Sequence, residues 1–268
     1  MKFEEIDMVL DGFDTTESTH DAITRVVFTR GSGSAVVIMH EIPGITPPVA
    51  EFARRVADDG FKVYMPLMFG TPGKGMTAGY AFGQMARACI SREFSVLSRN
   101  ESSPITNWLR GLCREAFAEC GGRGVGAIGM CLTGNFALAL MVDECVMAPV
   151  LSQPSLPFPV SPSHRKSLHL SGEDLAVVKR RTQEGCGVLG LRFTHDPMCP
   201  GDRFQRLREE LDTGFEAIEI DSGPDNDHGI ASSAHSVVTT DLVDEEGHPT
   251  QVALHRVLEL FRERLRTP

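Results

Sequence analysis

The chain has 268 residues, 41% hydrophobic and 23% charged, which suits a folded α/β protein with one large domain or two small ones. Its formal net charge of -10 argues against a nucleic-acid backbone or an anionic membrane as the main partner. It leaves room for an anionic small molecule held by one or two buried arginines.

No run is long enough to span a bilayer, and no basic stretch followed by an apolar one opens the chain. The seven cysteines (Cys89, Cys113, Cys120, Cys131, Cys145, Cys186 and Cys199) form no C-x-x-C pair, so neither a disulfide framework nor a zinc site is expected. These features together predict a cytoplasmic protein with free thiols, as a monomer or small homo-oligomer, with no metal or other cofactor. A nicotinamide cofactor is disfavoured because no G-x-G-x-x-G follows the early strands.

Thr24–Thr29 alternates weakly and reads as an edge strand. Ala35–Met39 is a continuous apolar run, the pattern of a central strand covered on both faces, and it ends in the turn His40-Glu41-Ile42-Pro43-Gly44. Val49–Asp59 has helical spacing and stops before Gly60, and Phe61–Met65 is the next strand, closed by Pro66. Residues 66–101 are long and Gly-rich, with a helical patch at Met85–Leu97, as expected of a functional insertion or cap.

Ser103–Glu119 is helical, Val125–Gly129 and Ala148–Gln153 are strands, and Ser171–Glu184 is helical. Strand Gly187–Thr194, helix Gly201–Leu211, strand Phe215–Asp221 and helix Pro249–Arg266 complete the chain. Strands alternating with helices predict a doubly wound, mostly parallel sheet with helices on both faces. We expect a single domain over residues 1–268, with reactive groups beyond the carboxyl ends of the strands.

One strand ends in Gly129-Met130-Cys131-Leu132-Thr133-Gly134 and passes straight into a helical pattern. That is the shape of a nucleophile elbow carrying cysteine, with Thr133 where G-x-S-x-G has its second glycine. Small residues let the strained turn pass close to its neighbours, and the following helix N-terminus favours a thiolate and later an oxyanion. A buried structural cysteine would fit the same local pattern.

Three more strand ends carry chemistry: Glu41, Asp196, and the segment after Asp221 with His228 and His235. Nucleophile, acid and histidine follow one another in the order expected on an α/β-hydrolase scaffold. Cys131 would attack a carbonyl, a histidine would hold the thiolate and protonate the leaving group, and Asp196 would orient the imidazole. His228 lies nearer the strand end and His235 nearer the last helix, so either could serve. The Ile42 and Leu132 N–H groups are the candidate oxyanion donors, and Arg92 or Arg87 is the expected partner of Glu41.

These residues resemble the dienelactone hydrolase family of α/β-hydrolases over about residues 24–266. The elbow is similar to that family's G-x-C-x-G-G, Glu41-Ile42-Pro43-Gly44 to its Glu-Ile-Phe-Gly turn, and Asp196 to Pro200 to its Asp-x-x-x-Pro turn. Its Gly-His-Ser-Phe segment matches Ala234-His235-Ser236-Val237, which implies His235 as the catalytic histidine, with His228 as the alternative. The resemblance implies a resting glutamate held by an arginine, here Arg92, that deprotonates the thiol once substrate binds. It also implies a second substrate-binding arginine four residues after the histidine, where this chain has Thr239.

The expected activity is therefore cysteine-dependent hydrolysis of lactones or activated carboxylic esters through a thioester acyl-enzyme, on a small-molecule substrate. Two other readings share the scaffold: a non-catalytic or redox-sensing thiol protein, and a binding module for carboxylated ligands.

Overall fold

The computed structural model describes residues 8–75, 77, 79–81, 83–84 and 103–266. Eight strands form one sheet in the order β1-β2-β4-β3-β5-β6-β7-β8. They are β1 (Asp14–His20), β2 (Ile23–Arg30), β3 (Ala35–Met39), β4 (Lys62–Pro66), β5 (Val125–Met130), β6 (Val146–Ser152), β7 (Val188–Phe193) and β8 (Phe215–Ile220). The first two are antiparallel to their neighbours, and the remaining pairings are parallel. This is an α/β-hydrolase fold.

β2 is not the edge strand that its weak alternation suggested, because β1 pairs along its whole length, from Asp14 opposite Thr29 to His20 opposite Ile23. β1 is not legible in the sequence because its residues, DTTESTH, are polar and mostly exposed, so they lack the apolar rhythm that marks a strand.

The described helices cover both faces. They are α1 (Pro47–Asp58), α2 (Pro104–Cys120), α3 (Phe136–Leu140), α4 (Pro162–Lys166), α5 (Gly172–Gln183), α6 (Gly201–Leu211) and α7 (Pro249–Leu265). Side chains of β3 alternate between two cores: Ala35, Val37 and Met39 join Trp108 and Leu112 of α2, while Val36 and Ile38 join Phe52 of α1 and Phe261 of α7. That double cover explains the unbroken apolar run, since each side chain has a dry partner on its own face. Ser103 and Ser171 cap α2 and α5 by accepting from Thr106 N and Asp174 N.

The expected helical patch at 85–97, together with Arg87 and Arg92, lies outside the described residues. Among the described residues, no helix is long and apolar enough to cross a membrane.

Candidate active site

Cys131 follows β5 directly and holds a left-handed backbone, φ 54°. Such a conformation costs a non-glycine residue of order 1–3 kcal/mol, so the surroundings must hold it. The Cys131 carbonyl accepts from Gly134 N (3.0 Å) and Ser155 N (2.9 Å). A Cβ on Gly129 would stand 2.1 Å from the Thr133 carbonyl oxygen, and one on Gly134 would stand 2.5 Å from Pro154 Cα. Both glycines are required by close backbone approach.

Thr133, the departure from the usual glycine, has a structural reason. Its fully buried hydroxyl accepts from Met130 N (2.9 Å) and donates to Met39 O (2.8 Å), fastening the elbow to the end of β3. A glycine could not make this bridge.

Asp196 lies just after β7 and is buried. Its Oδ1 accepts from Met198 N (2.9 Å), and its Oδ2 accepts from His235 Nδ1 (2.6 Å). His235 comes from the long loop between β8 and α7, and its own amide and that of Ser236 both donate to Asp241 Oδ2 at 2.8 Å. Burial alone would lower the His235 pKa, but the neighbouring Cys131 sulfur and the Asp196 carboxylate outweigh it and raise it well above the ordinary value. Nε2 is buried and makes no hydrogen bond of regular geometry, so the ring's free nitrogen belongs to the thiol side of the pair.

His228, the alternative, sits elsewhere. It is exposed on a turn whose amides bond to Asn226, and its ring packs edge-on against His248 at 5.4 Å. The loop returns toward Asp196 only after this turn, so nearness to the strand end is not what brings a histidine to Asp196.

Glu41, at the end of β3, is buried beside the histidine loop. Its Oε2 accepts from Ser236 Oγ (2.6 Å) and Gln153 Nε2 (3.2 Å), and its Oε1 accepts from Thr239 Oγ1 (2.5 Å). Arginine was the expected partner; among the described residues the donors to Glu41 are two hydroxyls and an amide. Thr239, standing where a second substrate-binding arginine was expected, is buried and points at Glu41.

His40 braces the same turn. Its Nε2 accepts from Met68 N (3.0 Å), so the proton is on Nδ1, which donates to Glu41 O (3.1 Å). Complete burial, with a smaller contribution from the Arg25 charge, lowers its pKa to about 4 despite the backbone bond, and the ring is neutral. Ser236, Thr239, Gln153 and Asp241 were not legible as site residues in the chain, because each works through a partner distant in sequence or through the backbone.

The model of the dienelactone hydrolase family matches residues 24–265. The chain belongs to that family. It is accordingly a carboxylic ester hydrolase. Searching the curated proteins finds no match.

Solved structures agree on the fold of this family member. Dienelactone hydrolase from Anabaena variabilis ATCC 29413 superposes with TM-score 0.61 at 13% identity, covering 95% of this chain and 98% of that one. The dienelactone hydrolase-like promiscuous phosphotriesterase P91 from metagenomic libraries gives TM-score 0.58 at 17% identity, with 95% and 98% covered. An esterase from Pyrococcus furiosus gives 0.57 at 15%, with 97% and 94% covered.

Proposed function

We propose that this protein hydrolyses small lactones or activated carboxylic esters with Cys131 as its nucleophile. The observation that carries the reading is the 2.6 Å bond between Asp196 and His235, with the far side of the imidazole turned to a cysteine held in a strained elbow.

In this mechanism the Cys131 thiol passes its proton to His235 Nε2, and the thiolate adds to the substrate carbonyl carbon. The N–H groups of Leu132 and Ile42 receive the resulting oxyanion. As the tetrahedral intermediate collapses, the C–O bond to the leaving alkoxide breaks, and His235 returns the proton to that oxygen. A thioester on Cys131 remains. Water, deprotonated by His235, then attacks the thioester carbon and the thiolate leaves. Asp196 keeps the imidazole in one tautomer and stabilises its charged form. Arg92 is proposed as the group that meets a carboxylate on the substrate.

A dienelactone, a simple lactone and an aryl acetate offered to the parent and to Cys131→Ala test this. We expect turnover of at least one substrate by the parent, a loss of at least about a thousand-fold in the variant, and a mass shift on the Cys131 peptide during steady state. Hydrolysis that survives the substitution removes Cys131 as nucleophile. The preferred substrate reports whether a carboxylate matters, and Arg92→Ala locates its partner.

A further inference from the structure

The mechanism above gives the oxyanion to two N–H groups, and each must be aimed by something. Leu132 follows Cys131 in the elbow, whose backbone is held by the bonds already described. Ile42 stands in the turn beyond β3, and among the described residues its N–H meets no acceptor, as an oxyanion donor requires. A peptide unit is planar, with its oxygen and its hydrogen pointing opposite ways. The direction of the Ile42 N–H is therefore set by whatever holds the Glu41 carbonyl.

Two donors hold that oxygen. Gly44 N closes the turn on it at 2.9 Å, and His40 Nδ1 donates to it at 3.1 Å. The imidazole itself has little freedom. Its Nε2 accepts from Met68 N at 3.0 Å, which places the proton on Nδ1, and the ring packs edge-on with Phe69 at 4.5 Å between centres. The residue is wholly buried. Its main chain is tied as well, since its carbonyl oxygen lies 3.3 Å from Thr133 Oγ1, the hydroxyl that fastens the elbow one residue beyond Leu132. His40 thus spans the two oxyanion donors, with its ring on the Ile42 side and its backbone on the Leu132 side.

We propose that His40 is a positioning residue which, by donating to the Glu41 carbonyl, aims the Ile42 N–H at the oxyanion. The inference rests on the reading of Cys131 as nucleophile and Ile42 as oxyanion donor. The bond goes to a main-chain oxygen, so the Glu41 carboxylate keeps its own partners and its own role. Donation to the carbonyl also polarises the peptide and makes its N–H a stronger donor. An aimed donor matters where charge develops, so the effect falls on kcat and on adducts that carry an oxyanion, with little on KM.

Two substitutions divide the two bonds of the ring. His40→Asn sets an amide N–H where Nδ1 stood and gives up the contact with Met68. His40→Gln sets an amide oxygen where Nε2 stood, keeps Met68, and gives up the donor to Glu41. We expect His40→Gln to lower kcat about ten-fold with KM within about two-fold, and His40→Asn to stay within about three-fold of the parent. A role confined to anchoring the segment at Met68 ranks the two variants the other way.

Two probes read the same site without turnover, with circular dichroism melts confirming folding. An aryl trifluoromethyl ketone is attacked by the Cys131 thiolate: a C–S bond forms, the carbonyl π pair moves to oxygen, and the adduct holds an oxyanion. Iodoacetamide loses iodide as its carbon bonds to the same sulfur, and no oxyanion arises. Equilibrium affinity for the ketone should fall about ten-fold in His40→Gln and recover in His40→Asn, while the rate of Cys131 alkylation stays within about two-fold of the parent in both.

A His40→Gln protein that matches the parent in kcat and ketone affinity overturns the proposal, as does a His40→Asn protein that loses as much as His40→Gln. An equal loss of alkylation rate also overturns it, by assigning His40 to the general integrity of the site. Should His40→Gln fail to fold, His40→Asn decides alone, since a ten-fold loss of ketone affinity with the Nδ1 donor replaced contradicts the proposal. A parent that neither hydrolyses an ester nor adds the ketone removes Cys131 as nucleophile and the inference with it, and that outcome is told apart by the silence of the parent itself.

Discussion

Replacing Thr133 by valine keeps the shape of the side chain and removes only its hydroxyl. That oxygen accepts from Met130 N and donates to Met39 O, with the Met130 and His40 carbonyls also nearby at 3.0 and 3.3 Å. In the variant the buried Met130 N–H has lost its acceptor, a cost of about 1–3 kcal/mol, and Met39 O has lost a donor, worth about 1 kcal/mol more. The total of roughly 2–4 kcal/mol corresponds to a melting temperature lower by about 4–7 °C for a chain of this size. Thr133→Ser keeps the hydroxyl and loses one buried methyl, about 1 kcal/mol. Thermal melts of the parent and both variants under identical conditions separate the two effects. The Cys131 backbone strain makes activity a second readout, because an elbow no longer fastened to β3 relaxes, and valine should lower kcat more than serine does. If the serine variant melts below the valine variant, methyl packing holds the elbow and the hydrogen-bond argument is wrong.

Two further expectations concern buried cations and potential cations. His40 ionises near pH 6.5 when unfolded and near 4 when folded, so the stability linked to its neutral form is complete above pH 6.5 and is lost as the pH falls through 4. The loss amounts to about 3 kcal/mol, and His40→Gln should therefore show a shallower fall in melting temperature between pH 6.5 and 4; an equally steep fall would discount His40. Arg203 is fully buried and donates to the carbonyls of Ser167 (3.0 Å), Pro157 (2.6 Å), His164 (3.1 Å) and Pro154. Arg203→Met should cost about 3 kcal/mol or more and open residues 154–168 to limited proteolysis, whereas an unchanged cleavage pattern would deny that this side chain holds the segment.

The parts of the site that could be read from the chain are those whose chemistry is local. An apolar strand running into Gly129-Met-Cys131-Leu-Thr-Gly134 can make little besides a tight strand-to-helix turn, and Glu41 and Asp196 stand at strand ends for the same reason. The fold was legible because β3 and β5 are buried on both faces and α1 and α7 each bury one. The polar β1 and the five-residue α4 were not, since neither carries enough apolar periodicity to stand out.

The residues alone leave His228 and His235 both open, and the resemblance points to His235; the path of the loop, which folds through the Asn226 turn before it returns to Asp196, could not be read from the chain. The partners of Glu41 were hidden more deeply. Serine and threonine are ordinary loop residues, and only the meeting of Glu41 with Ser236 and Thr239, 195 and 198 positions along the chain, gives them a task.

Those separations also bear on how the molecule is made. A chain synthesised from its N-terminus has β3 and β5, with Cys131 between them and the rest, well before residues 235–241 exist to approach. Contacts that close loops of nearly two hundred residues are entropically the slowest to form. On the proposed mechanism the thiol is therefore kept from His235 until the last segments have docked, and chemical competence arrives only with completion. If Cys131 is the nucleophile proposed above, partly folded chains carry it without its histidine, and the appearance of its reactivity during refolding is a clock for the final step of assembly.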